Sequence, residues 1–230
     1  MKKTFQLVLI LLFPLWMSAQ DCPEYFPLST GSSWEITSYN KKDKVDAVNS
    51  YVVKSKTDTT NGYKAVVGMT SADDKGKTTG AGDLIMKCAA GVFYFDMKNF
   101  LDQSTMEQNK DMDVTMTSTD MAFPATLSEG GKLPDANITY QISANGMVVM
   151  TMTVNITERK VVGKENMTTP AGSFEVWKIS SKFQSKSGFM TVKLSTVDYI
   201  SFGAGIVKTE SYNEKGELMS YTILTKLSKL

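Results

Sequence analysis

The 230-residue sequence contains no histidine. This excludes Ser-His-Asp and Cys-His nucleophilic sites, zinc or haem centres held by histidine, and switching by imidazole protonation. Arginine is nearly missing as well, since the 25 basic residues include one arginine, Arg159. Readers of nucleic-acid bases rely on arginine forks. A net charge of +1 also gives no basic field to attract a polyanion, so no nucleic-acid partner is expected. There are two cysteines, Cys22 and Cys88. Beyond the N-terminus no apolar run approaches the ~20 residues of a membrane-spanning helix. Low-complexity segments and internal repeats are lacking too. The remainder, 42% hydrophobic and 21% charged residues, is the composition of a globular protein.

The N-terminus reads as an address. Met1-Lys2-Lys3 is a positive lead, and Phe5 to Trp16 is an apolar stretch interrupted by Gln6 and Pro14. Small Ser18 and Ala19 then precede a cut after Gln20, which predicts a cleaved secretory signal over residues 1–20. Asp21 stands where a lipidation signal needs a small residue before Cys22. The expected product is one domain over 21–230, exported to the periplasm or cell surface of a Gram-negative bacterium. In that oxidising setting Cys22 and Cys88 are expected to pair. The bridge would close a loop of about 66 residues, worth about 4 kcal/mol on the chain-entropy argument. Two unpaired thiols are the alternative.

Period-2 alternation dominates the rest of the chain. Tyr63, Ala65, Val67 and Met69 share a face, as do Met112, Val114 and Met116, and then Val148, Met150, Met152, Val154 and Ile156. Met190, Val192 and Leu194 form another such row, and Met219, Tyr221, Ile223 and Leu227 a last one. These are half-buried antiparallel strands. Asn145-Gly146 predicts a two-residue type I′ hairpin. Asn61-Gly62, Ser187-Gly188 and Lys215-Gly216 mark further reversals. A short helical turn is expected around Met97 to Gln103, and residues 118–136, with two prolines and Gly130-Gly131, are the candidate junction between two halves of the sheet. The fold class is therefore all-β: one strongly curved antiparallel sheet, a half-barrel or barrel, of about ten to twelve strands.

Sequence motifs for chemistry are weak. Gly76-Lys77-Thr78 lacks the earlier glycine of a phosphate loop, where Ser71 stands, and comes after Asp73-Asp74. Gly203-Ala204-Gly205 has Lys208 in place of the third glycine of a dinucleotide motif. Ser38-Tyr39-Asn40-Lys41 matches a penicillin-recognising nucleophile motif without its partner motifs. A carboxylate pair for glycoside hydrolysis survives the composition test, but no pair stands out. Asp111 and Asp113 lack the spacing of a calcium loop. Methionine is abundant, with 15 residues. Thioethers can hold Cu(I), but their alternation with polar neighbours predicts core filling. No metal and no cofactor are expected. Asp58-Thr59-Thr60 resembles a short O-glycosylation acceptor. Arg159, in a chain that otherwise uses lysine, suggests a planar two-pronged bond to a carboxylate, as a structural partner within the chain or, alternatively, to a ligand carboxylate or phosphate.

Several segments resemble an uncharacterised family of exported β-proteins from Bacteroidota-type bacteria, of TapB-like type and near a domain-of-unknown-function family. They are Tyr25-Phe26-Pro27-Leu28 with Gly31 and Trp34, then Leu133-Pro134-Asp135. Arg159-Lys160-Val161 and the Thr-Pro-Ala-Gly-x-Phe motif of Thr169 to Phe174 come next, with Gly203 to Lys208 and Lys215 to Leu224 completing the set. The resemblance implies a curved antiparallel sheet similar to the half-barrels of lipoprotein carriers, and no catalytic residues.

The functional expectation is a non-enzymatic β-sheet protein that binds an apolar or amphipathic ligand, a lipid for example, in the cell envelope. Phe93, Phe95, Met150, Met152, Trp177 and Arg159 are the candidate ligand-binding residues, with Cys22 and Cys88 as the disulfide. The alternative is a structural or interaction module with a filled core and an envelope protein as partner.

Overall fold

The computed structural model describes residues 22–100 and 112–230. The expected signal peptide, Gln103 and Asp111 lie outside them. Among the described residues thirteen strands form one antiparallel sheet, just above the expected range of about ten to twelve. They are β1 (Ser33–Asn40), β2 (Val45–Thr59), β3 (Gly62–Asp73), β4 (Thr78–Ala89), β5 (Val92–Phe95), β6 (Asp113–Thr119) and β7 (Met121–Phe123). After these come β8 (Ala136–Ala144), β9 (Met147–Thr169), β10 (Gly172–Ser187), β11 (Met190–Ser201), β12 (Gly205–Tyr212) and β13 (Leu218–Ser228). The expected helical turn is a short 3-10 helix, Met97–Phe100. Asn145 and Gly146 both have positive φ, 52° and 76°, as a type I′ turn requires.

The order across the sheet is β6-β8-β9-β10-β11-β12-β13-β1-β2-β3-β4-β5-β7. Its two edge strands, β6 and β7, are separated in the chain by Asp120 alone. The sheet therefore curls until its edges meet, giving a nearly closed barrel. One bent segment supplies both margins: before Asp120 it pairs with β8, and after it with β5. Asp120 is tied to the other side of the seam, where Oδ1 accepts from the Met97 N–H at 3.3 Å and Oδ2 pairs with Lys87 at 2.5 Å.

One end of the barrel is covered by the N-terminal strap, residues 22–32. The N–H groups of Gly203 and Gly205 donate to the carbonyls of Glu24 and Tyr25 at 2.6 and 2.8 Å. Gly205 (φ +79°) must be glycine, since a Cβ there would lie 2.4 Å from the Phe26 ring. The strap begins at Cys22, which is disulfide-bonded to Cys88 at the end of β4. Tyr25, Phe26 and Leu28 are buried, so the strap is a plug whose apolar face completes the core. The hairpins β1–β2, β3–β4, β8–β9, β10–β11 and β12–β13 surround the opposite end.

The core forms two clusters. The larger gathers the strap with Trp34, Val53, Ala65, Val67, Met86, Phe93 and Leu224. The smaller joins Met97 to Ile138, Tyr140, Ile142, Val154 and Ile156, with Met116, Met150 and Met152 against it. Bulges set which residues join them. At Glu158 (φ +53°) the pairing of β9 with β10 shifts, turning Arg159 and Val161 inward to 3% and 1% exposure. A second bulge corrects the reading of β13. Met219 is exposed, and the fully buried residue is Leu224, on the opposite face from Tyr221 and Ile223, while Leu227 joins the core because pairing with β1 slips at Thr225.

Candidate binding site in the barrel lumen

Between the strap and the methionine-rich cluster the barrel encloses a cavity of about 300 Å³. The volume lies at the lower end of the ~300–1,000 Å³ typical of small-molecule sites. Its floor is Tyr25 and Phe26. The walls are inward residues at alternate positions of successive strands: Tyr51 and Met69, then Leu84, Phe93 and Phe95. Met121 and Phe123 continue the wall across the seam, and Ile156, Phe183, Ile200 and Ile206 close the circuit. Aromatic packing makes the floor stiff: Tyr25 stands 5.5 Å from Phe93 and 5.4 Å from Phe123, and Phe26 lies 5.5 Å from Phe93, centroid to centroid.

A small polar arc interrupts this wall. Ser181 and Thr196 share a hydrogen bond of 2.7 Å across β10 and β11. Asn99 is held by the backbone of Ile85 on both its amide groups, at 3.1 Å each. Asp198, on β11, is the one charged side chain among the described residues lining the cavity. Its Oδ1 accepts from the Thr209 hydroxyl at 2.7 Å, and no other group among the described residues bonds to it. Asp198 is half-buried, and its uncovered surface faces the lumen. Burial raises its pKa above the ordinary carboxylate value, against the Thr209 hydrogen bond and the charge of Arg159, which pull it down.

Of the residues expected from the sequence, Phe93 and Phe95 line the cavity. Met150 and Met152 face the same interior but pack in the neighbouring cluster, around Tyr140. Trp177 is half-buried near the β9–β10 turn, with Lys164 4.9 Å from its ring centre, and is not a lining residue. Arg159 does not line the cavity either. Its Nη1 donates to the carbonyls of Ala122 and Pro134 at 3.0 and 2.7 Å, and its guanidinium lies 4.7 Å over Phe123. The two-pronged bond to a carboxylate expected of it is not formed: one nitrogen bonds two backbone carbonyls, and Nη2 is buried without a partner among the described residues. Burial pushes its pKa down to about 10, so it stays charged at neutral pH. Asp198 was legible on the even face of β11 that carries Met190, Val192 and Leu194, as the acid interrupting an apolar row.

The DUF3108-like family model matches residues 29–224, from the strap through β13. The chain belongs to the DUF3108-like family. Two solved structures resemble this DUF3108-like barrel over most of its length. One, from Bacteroides fragilis, is described as a candidate exported protein with a YmcC-like fold; it is 25% identical, with a TM-score of 0.73, covering 90% of this chain and 100% of its own. The other, from Parabacteroides distasonis, is described as a candidate lipoprotein; it is 24% identical, with a TM-score of 0.75, covering 91% of this chain and 100% of its own. No curated protein matches the chain.

Proposed function

We propose that this DUF3108-like protein is an exported, non-enzymatic binding protein of the Gram-negative envelope, whose lumen takes one apolar or amphipathic ligand. The observation that carries this reading is the cavity of about 300 Å³, walled by aromatic, methionine and aliphatic side chains. A core built for stability alone closes such space, because an unfilled cavity costs about 24 cal/mol per Å³. Asp198 is a lone carboxylate among the described lining residues, whereas glycoside hydrolysis needs two. The lineage of the B. fragilis relative, described as a candidate exported protein, agrees with the N-terminal signal pattern.

Native mass spectrometry of the protein exported to a bacterial periplasm, before and after solvent extraction, tests it. An added mass of a few hundred daltons that extraction removes is expected. A bare protein that also takes up no apolar dye overturns the reading. That result would favour the second reading, an interaction module of the envelope. The observation behind the second reading is the exposure of Met147, Val148 and Val149 at one hairpin tip and of Phe189, Met190 and Val192 at another.

A further inference from the structure

Asp198 is an expensive group to place in an apolar lumen. A carboxylate without full compensation loses its hydration and gains little from nonpolar walls. Here one oxygen has the Thr209 hydroxyl, and the charge of Arg159 acts from outside the cavity wall. The remaining acceptor capacity of the carboxylate faces the cavity. The neighbouring polar groups do not compete for it, because Ser181 and Thr196 are bonded to each other and Asn99 to Ile85. The lumen therefore presents one charged acceptor to a guest, beside a short arc of hydroxyl and amide groups in an otherwise apolar wall.

We propose that Asp198 anchors the ligand's head group, selecting amphiphiles whose polar end donates hydrogen bonds, a primary ammonium above all, over those ending in a carboxylate. This rests on the lumenal binding reading and adds the chemistry of the ligand's head. An ammonium supplies three donors and a compensating charge, with its chain lying along Phe93, Phe95 and Ile206. An ammonium also favours the charged form of Asp198 against the burial that raises its pKa, whereas a carboxylate in the same low-dielectric enclosure would repel that charged form.

The experiment loads the purified protein with the uncharged dye N-phenyl-1-naphthylamine and displaces it with dodecylamine, dodecanol or dodecanoate at pH 7. Dodecylamine is expected to displace at a concentration about tenfold or more below that of dodecanoate, with dodecanol between. Asp198→Asn is expected to bring the amine and the acid to within about threefold of one another. Dodecanoate matching or surpassing the amine in the unaltered protein overturns the proposal, and this comparison stands even if the variant does not fold. A preference that survives Asp198→Asn overturns it too. Dye uptake without any ranking sinks the head-group assignment and leaves lumenal binding intact, whereas no dye uptake at all sinks both.

Discussion

At the scale of single residues, Arg159 shows why this lysine-rich chain keeps one arginine. A guanidinium can reach two carbonyls at once and lie flat on a ring, whereas an ammonium is a point donor. Arg159 does this for Ala122 and Pro134 over Phe123, joining β9 to the end of β7 and to the segment that leads into β8. Arg159→Lys is expected to lose about 1–2 kcal/mol of stability, and Arg159→Ala about 3 kcal/mol, because two enclosed carbonyls then lack donors. Urea denaturation measures both. A lysine variant as stable as the parent would show that the planar guanidinium over Phe123 is dispensable. The role was partly legible: a structural partner within the chain was one of the two readings the sequence supported. Which carbonyls it would reach depended on a bulge at Glu158, and no alternation pattern shows a bulge, since the pattern assumes constant pairing.

At the scale of elements, alternate side chains share a face where pairing is regular, but burial was legible only where that face reaches the core: Met112, Val114, Met190 and Val192, expected to be half-buried, are exposed. Tyr63, Ala65, Val67 and Met69 all turn inward on β3, as the sequence predicts. The Met219, Tyr221 and Ile223 row misled because the lumen-facing positions of β13 near the open end are Ser220 and Thr222, opposite polar Thr209 and Ser211 of β12. Polar residues that face a cavity instead of packed side chains look like a solvent face. The N-terminal strap carries no alternation and could be placed only through its cysteine. The strap is held by Cys22–Cys88, with a sequence separation of 66 residues, and the loop entropy this removes from the unfolded chain is about 4 kcal/mol. Cys22→Ser with Cys88→Ser is therefore expected to lower the denaturation midpoint and to weaken retention of lumenal dye, since Tyr25 and Phe26 form the cavity floor. An unchanged midpoint together with unchanged dye retention would show that packing alone holds the plug.

At the scale of the whole molecule, the barrel closes through a chain bend instead of a ladder of hydrogen bonds. Exposed sheet edges are liabilities, and this sheet brings its two edges together at Asp120. That residue ties the bend to the β4–β5 side of the seam, through the Met97 N–H and Lys87. Donating a hydrogen bond to Asp120 raises the Lys87 pKa against the opposing effect of burial, so Lys87 stays charged across the neutral range. Removing the carboxylate leaves a part-buried N–H without its acceptor and Lys87 without its ion-pair partner, while the strands on either side keep their own ladders. Asp120→Ala is therefore expected to cost roughly 2 kcal/mol globally. It should also speed amide exchange in β6 and β7 well beyond that in β10 and β11, the seam opening as a unit ahead of the rest. Uniform acceleration across all strands would mean that Asp120 contributes only to global stability and that the seam is not a separate cooperative element. Because Met121 and Phe123 line the cavity just past Asp120, the same variant should also release lumenal dye faster, linking closure of the sheet to retention of its guest.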